Sequence, residues 1–490
     1  MIHAMRGILC AIALVGCAKG DKPVVEVDAA IEVDARPDAM TCGPDMLPCF
    51  AFYVSTTGND SNAGTQESPL QTIAQAIAKA GQATPKHAVF IQEGTYDEQI
   101  VVSPGVGLYG GFDATWARNP AVTTEIVGAS PTVKLMSIQE PTALDTLTIR
   151  STDGATYGAS SIAIVIESSK DIELVNITAS PGIGGGGQDG LAGQRGIDGS
   201  PGAPGIKGCE DSGFGCASCN RPQGGAGGAS ACFRVGGRGG NAGHGGAGGF
   251  DGSPGVVGTP QGPGAYGESQ PGTVGSPGTP GGSGTSGSGG GELGMFANAT
   301  YMPASGSEGT PGADGNGGGG GGGGGGGTTN CDSYGSSGGG GGGGGCAGTQ
   351  GGPGGGGGGS FGVVVVTSAV AIRSSMIVAN RGGNGGAGGR GGDGGWAGGG
   401  GIGGPYGGSS EQDDGGYGAP GGSGGSGGAG GHGGGGGGGP SAAVVCVGSS
   451  SVSIPSSMLA AGMGGSGGFS FGNPGAAGKA ADSINCAFVP

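Results

Sequence analysis

The sequence predicts an all-β fold in which short strands form a repeating unit and long glycine-rich insertions leave that unit at one fixed point. Two observations lead there. First, three stretches echo one another: Ser161 to Gly182 (SIAIVIESSKDIELVNITASPG), Ser360 to Gly383 (SFGVVVVTSAVAIRSSMIVANRGG) and Ser441 to Gly464 (SAAVVCVGSSSVSIPSSMLAAGMG). Each is a strand-like run, a polar turn, a second strand-like run and then glycine. In the alignment, Ile164, Ile166, Ile172 and Ile177 fall on Val364, Val366, Ile372 and Ile377, and the third copy repeats the Ser-Ser-Met step at Ser456, Ser457 and Met458 after a one-residue shift. Second, each copy launches a glycine segment from the same place, after Ile177, Ile377 and Leu459. If the copies stack as rungs, all three segments leave one corner and lie side by side.

Composition narrows the rest. Of 490 residues 138 are glycine, more than a quarter against a usual share of about 7%. Glycine has no side chain to bury and loses the most backbone entropy on ordering, so much of the chain cannot build an ordinary core. The net charge of −16 opposes nucleic-acid binding, which needs Lys and Arg against phosphate, and adhesion to anionic lipid by charge alone.

In chain order, Met1–Arg6 is a short n-region and Gly7–Val15 an apolar run too short to span a bilayer as a mature helix. Leu14-Val15-Gly16-Cys17 resembles a bacterial lipoprotein signal, which implies cleavage before Cys17, acylation of Cys17 and a lipid as the membrane anchor. Residues 18–49 are rich in Asp, Glu, Pro, Val and Ala without period, and read as a flexible acidic tether. Phe50–Val54 is a strand, and STTGNDSNAGT after it is turn chemistry. Asn59, Asp60 and Asn62 there offer calcium-type oxygens, but no bidentate Glu follows at loop spacing, so the segment reads as a turn. In SPLQTIAQAIAKAG, Ser68 suits an N-cap, Pro69 the first helical position and Gly81 the end, with Leu70, Ile73, Ile77 and Ala80 forming one apolar stripe. His87–Ile91, Gln99–Ser103, Val106–Tyr109, Thr124–Val127, Thr132–Ile138 and Ala143–Arg150 then read as short β-branched strands. Their spacing fits a sandwich or a coil of strands.

The run YVSTTGNDSNAGT, SPLQTIAQAIAKA, VFIQEGTYDEQIVVSPGVGLYGG, from about Phe52 to Phe112, resembles the opening of a right-handed parallel β-helix of the pectate-lyase-like superfamily. It is most similar to extracellular bacterial proteins that carry a family of unknown function at this position. That resemblance implies a helix capping the N-terminal end of the coil, where an open end would otherwise expose unpaired strand groups. LYGGFDATWARNP also resembles a segment of large surface proteins of predatory or soil bacteria. The expected organisation is therefore signal and lipid site (1–17), tether (18–49), N-terminal β-helix (50–181), first glycine-rich insertion (182–359), rung (360–381), second insertion (382–440), rung (441–463) and glycine-rich tail (464–490).

The insertions are PGRS-like or collagen-like in character and have a period of three. Glycine recurs every third residue from Gly187 to Gly208, and in GGNGGAGGRGGDGG the variable residues Asn384, Ala387, Arg390, Asp393 and Trp396 share one edge of a threefold helix. Polyglycine-II-type helices packed flank to flank, disordered low-complexity loops and a three-chain collagen are the readings this period admits. Collagen is disfavoured by the short run and sparse proline.

Apart from Cys10 and Cys17, ten cysteines remain: Cys42, Cys49, Cys209, Cys216, Cys219, Cys232, Cys331, Cys346, Cys446 and Cys486. An even number in an exported chain favours disulfides. Proximity suggests Cys42 with Cys49, Cys331 with Cys346 across a glycine run, Cys446 with Cys486, and two bridges within the cluster 209, 216, 219 and 232, in preference to zinc. No cofactor or metal site is expected. No G-x-S-x-G, H-E-x-x-H or G-x-x-x-x-G-K-[ST] occurs. A β-helix enzyme would draw on Asp145, Asp153, Glu167, Asp171 and Glu173 with Arg150 or Lys170 as cation; alternation with Ile172 and Leu174 makes Asp171 and Glu173 ordinary outward strand residues. The expected function is a non-enzymatic lipoprotein of the outer membrane or cell surface, structural or adhesive, with the membrane and an extracellular glycan or matrix as partners. The alternative is a lyase or hydrolase acting on acidic polysaccharide, with or without calcium.

Overall fold

The computed structural model describes residues 41–42, 47–119, 121–209, 220–267, 269–327, 334–405 and 415–489. The chain divides into two compact units, Met1–Cys49 and Phe50–Pro490. In the first, Thr41–Cys42 pairs antiparallel with Leu47–Pro48, and a disulfide joins Cys42 to Cys49. Cys17 lies outside the described residues.

The second unit is a right-handed parallel β-helix with three parallel sheets of seven, six and six strands. After the first coil, which supplies only Ala51–Val54, each coil contributes one short strand to each sheet. The fifth coil, for example, is Ile172–Val175, Thr178–Ser180 and then Ser360–Val366. Alternation decides what is inside. Leu108, Leu144, Leu174 and Ile372 pair in successive strands of the first sheet and form one fully buried column. No single strand could bury its apolar face alone; stacking makes the core continuous.

In the last four coils the first-to-second-sheet corner is tight and uses left-handed backbone without glycine. Thr146, Asn176, Ser374 and Ser456 stack at the first-to-second-sheet corner with φ of 54°, 53°, 48° and 56°. The first three are each tied to the next coil: Thr146 N–H donates to Val175 O, Asn176 N–H to Arg373 O and Ser374 N–H to Pro455 O, at 3.0–3.1 Å. Serine ladders run beside these turns and at the third-to-first-sheet corner. Ser375 Oγ accepts from Ile177 N–H at 3.0 Å, and Ser368 Oγ accepts from Ser169 N–H at 2.9 Å. They satisfy backbone groups that burial would otherwise orphan.

The register corrects the sequence alignment. Ile164 and Ile166 lie opposite Val363 and Val365, Ile172 opposite Val370, and Ala179 rather than Ile177 opposite Ile377. In the third sheet a run of valines is buried on both faces, so hydrophobicity carries no phase there. Val363 and Val365 point into the coil, whereas Val364 and Val366 point out. The outer face is covered by a hairpin from the first insertion, Met295–Ala297 with Thr300–Met302, whose Phe296 and Tyr301 pack on Phe361 at 5.3 and 5.5 Å.

A helix, Ile73–Gln82, buries Ile73, Ala76, Ile77 and Ala80 in the core of the N-terminal end. It starts later than Ser68 and stops after Gly81. Thr72 is the N-cap and accepts from Gln75 N–H, because Leu70 is drawn into a bridge with Val54. Glu98 accepts from Ile73 and Ala74 N–H at 2.8 and 2.9 Å, where a carboxylate also favours the helix dipole.

All three glycine-rich segments leave between a second-sheet and a third-sheet strand: after Ser180, Val378 and Ala460, returning at Ser360, Ser441 and Ala480. Fully buried serines grip each departure. Ser161 Oγ accepts from Gly182 N–H, Ser360 Oγ donates to Gly182 O and accepts from Asn380 N–H, and Ser441 Oγ donates to Asn380 O and accepts from Gly462 N–H, at 2.6–3.0 Å. Beyond them the segments are ordered in a threefold lattice of backbone hydrogen bonds, and neither disordered nor collagen-like. Gly187, Gly190, Gly193, Gly196 and Gly199 donate to Asn384, Ala387, Arg390, Asp393 and Trp396 at 2.7–2.9 Å. This is the edge row expected from the sequence, and the repeat is that of a three-residue extended helix. The runs Gly317–Gly327 and Gly338–Gly345 lie buried in the middle of the slab. A Cβ at Gly340 would collide with the carbonyl of Ala226, which is why no side chain appears there.

The disulfides correct the pairing read from proximity. Cys446–Cys486 forms as expected, but Cys346 bonds Cys232 and not Cys331. Sequence neighbours are not slab neighbours: the segment carrying Cys232 packs against the glycines preceding Cys346, with Gly228 N–H donating to Gly341 O at 2.8 Å. Cys209 is also disulfide-bonded, and Cys216, Cys219 and Cys331 lie outside the described residues. Among the described residues, no helix is long and apolar enough to cross a membrane.

Candidate functional site

Two surfaces come into question: the outer face of the first sheet, and the free edge of the glycine slab. On the first, outward positions of successive strands align Tyr53, Phe90, Tyr109 and Asp145. The loop after Phe112 folds back over them. Trp116 meets Tyr53 edge-on at 4.9 Å, Phe90 stacks on Phe112 at 4.8 Å, and the Arg118 guanidinium lies 5.4 Å from the Phe112 ring centre. Arg118 Nη2 pairs with Asp145 at 2.9 Å and donates to Thr146 Oγ1 at 2.8 Å. Burial pushes the Tyr109 phenol up to about 12, the Asp145 charge adding to the shift and Arg118 opposing it.

The acids named from the sequence are not gathered there. Asp145 and Glu173 share this face, each beside an arginine, with Glu173 3.8 Å from Arg373. Asp171 sits in a left-handed turn at the third-to-first-sheet corner next to exposed Lys170. Glu167 ends a third-sheet strand and lines, with Lys134 and Tyr301, a cleft of about 410 Å³ beneath the hairpin. Asp153 accepts from Ile183 N–H at 2.7 Å and so helps aim the first glycine segment. Arg150 pairs with Glu125 at 3.4 Å on the second sheet. The described histidines are separate: His87 lies against Phe50 and Phe52, His244 against Tyr334, and His432 in the slab. The side-chain oxygens of Asn59 and Asp60 in the first turn are engaged within the chain, and Asn62 donates through Nδ2 to Pro69 O at 2.8 Å. Asp60 accepts from Gln71 and Thr72 N–H, and Asn59 Oδ1 from Ser61. Burial alone would raise the Asp60 carboxyl, but the bonds from Thr72 and Gln71 outweigh it and hold it low.

The second surface is built by the segments 187–208 and 382–404. Their inward glycines let the backbones touch, so the third residue of each triplet faces solvent. Leu191, Ile197, Ile206, Trp396 and Ile402 are 54–82% exposed. Between them lie two ion pairs of one pattern, Arg195–Asp198 at 2.6 Å and Arg390–Asp393 at 3.4 Å. Asp189 and Asp198 cross to the neighbouring segment and accept from Ala387 and Trp396 N–H, each at 2.7 Å. The bond from Trp396 and then that from Arg195 hold the Asp198 carboxyl below its usual value. A monomer rarely leaves large apolar side chains exposed in a row, and here they stand on a backbone fixed by hydrogen bonds.

Sequence reasoning identified the edge row 384–396 through its period of three. It missed the Arg118–Asp145 pair and the aromatic group, although Trp116 and Arg118 lie in the LYGGFDATWARNP segment; only the outward phase of several coils brings them together.

Residues 56–184 match DUF1565, described as a protein of unknown function. A 51-residue stretch is 47% identical to the uncharacterized protein YwoF of Bacillus subtilis (strain 168), and it covers 10% of this chain and 10% of that protein. The match therefore spans only about a tenth of that relative's length. No solved structure matches the chain. The DUF1565 region begins in the turn before the helix and ends as the first glycine segment leaves the coil, so what the family match covers is the N-terminal part of the β-helix.

Proposed function

We propose that the chain is an exported, lipid-anchored protein of the outer membrane or cell surface that works by contact, as a structural or adhesive element without catalysis. The β-helix acts as a rigid mount. The glycine slab presents its edge side chains as weak, repeated contacts to an extracellular glycan or matrix. The observation that supports this most is the solvent-facing row Leu191, Ile197, Ile206, Trp396 and Ile402 on a hydrogen-bonded backbone. Export and acylation rest on Leu14-Val15-Gly16-Cys17.

The second reading, a lyase or hydrolase for acidic polysaccharide, draws on Asp145 and Glu173 sharing one outer face with Arg118 and Arg373. Its weakness is that the remaining candidate acids point to other faces. One experiment separates the readings. The oxidised chain carrying Cys17→Ala is incubated with acidic and neutral polysaccharides, with and without calcium, and binding to the same panel is measured. Retention of a glycan or matrix without new reducing ends or unsaturated products is the expected result. Turnover abolished by Asp145→Asn or Glu173→Gln would overturn it.

A further inference from the structure

The slab contains a layer that is begun and not completed. The last glycine segment, Gly462–Phe469, lies in the groove between segments 382–404 and 416–439. Its carbonyls at Met463, Ser466 and Phe469 accept from Gly382, Gly385 and Gly388 N–H at 2.7–2.9 Å. Its Gly465 and Gly468 donate to Gly439 and Gly436 O at 2.9 and 2.7 Å. The chain then turns back. Ser470 Oγ donates to Gly433 O at 2.6 Å, and His432 Nδ1 accepts from Gly391 N–H at 3.0 Å, so two side chains close the end of the filled part.

Beyond that step the groove continues in the same register without an occupant among the described residues. The donor row runs on as the N–H groups of Gly394, Ala397 and Gly400. The acceptor row runs on as the carbonyls of Gly430, Gly427, Gly424 and Gly421. Among the described residues neither row has a hydrogen-bond partner. Beside them Ser423, Ser426 and Ala429 keep the face low. At about 3.1 Å per residue the open stretch from Gly391 to Gly404 is roughly 40 Å long. Only backbone with the same three-residue repeat can meet such rows in step, and only small residues let it approach closely enough to bond.

We propose that this uncovered face is a self-association surface, on which the same face of a second copy docks and continues the lattice through backbone hydrogen bonds. A second copy fits because each face offers both rows, so a two-fold arrangement sets donors against acceptors, and because the filled half of the groove is already an interface of this kind within the chain. The donor row, the acceptor row and the Ser423–Ala429 row beside them, at about 5 Å spacing, give roughly 600 Å² per copy, below the roughly 800 Å² of a standard interface, so the association is weak and concentration-dependent. This does not rest on the adhesive reading: it would hold for an enzyme on the same scaffold.

The test is sedimentation equilibrium of the oxidised chain carrying Cys17→Ala over a concentration series. A reversible dimer is expected, and Ser423→Arg and Ser426→Arg should each weaken it by roughly tenfold or more, because a charge would be buried unpaired at the interface. Both serines stand in the same row as His432, whose side chain reaches across the groove, and Ser423 is exposed and Ser426 half-buried, so the fold should survive, and an unchanged circular-dichroism melt confirms it. Arg390→Ala, on the neighbouring edge, should leave the dimer unchanged. A chain that stays monomeric to several hundred micromolar, or a dimer indifferent to both arginines, would overturn the proposal.

Discussion

Ser360 Oγ donates to the carbonyl of Gly182 at 2.7 Å, across 178 residues of sequence. The same oxygen accepts from Asn380 N–H at 3.0 Å. One buried hydroxyl thus joins the start of the first glycine segment to the start of the second, on the strand that receives the first one back.

Ser360→Ala should therefore leave the buried Gly182 carbonyl and the partly buried Asn380 N–H without this partner and destabilise the chain by about 1–3 kcal/mol. The loss is read from the urea midpoint. Hydrogen exchange should quicken at Gly184 and Gly187 while the strand Thr142–Asp145 stays protected. Uniform protection throughout would mean that the serine is not what holds the exit.

Gly340→Ala should be far more costly than a change on an exposed edge. The added methyl meets the carbonyl of Ala226, and backbone packed on all sides cannot move aside. Loss of roughly 3 kcal/mol or more is expected, against less than about 0.5 kcal/mol for exposed Ser423→Ala. Resistance to proteolysis within the glycine segments measures the difference.

Disulfide mapping of the oxidised chain should return Cys232–Cys346 and Cys446–Cys486. The second closes a separation of 40 residues, for which chain entropy gives about 4 kcal/mol. Cys486→Ala should lower the unfolding midpoint accordingly and expose the last coil to exchange before the rest. Recovery of a Cys331–Cys346 peptide would contradict the packing of the slab.

The Tyr109 phenol titrates at about 12 in the fold, against about 10 when unfolded. Because the folded value is raised, its contribution to stability is complete below pH 10 and is lost as pH climbs toward 12. Tyr109→Phe should reduce the drop in urea midpoint between pH 9 and pH 11.5. Tyr96, raised for the same reason of burial, leaves a residual drop in that variant.

The sequence by itself determined the unit and the point of insertion. Periodic valines and isoleucines made short strands, the echo of Ser161, Ser360 and Ser441 marked equivalent places, and glycine at every third position left extended backbone with one outward residue per turn. These are local facts, written in which side chains are present and how often. Register was not local: the run Phe361–Val366 is apolar at almost every position, so its phase was decided by the core on one side and the hairpin on the other. Nor was the helix start, which Leu70 shifted by bridging to Val54. The Cys232–Cys346 bond and the Arg118–Asp145 pair join residues that share no pattern. Only stacking brings them together, because in a coil and its slab the neighbours of a residue lie one turn or one segment away, at a distance that inserted chain of any length can set.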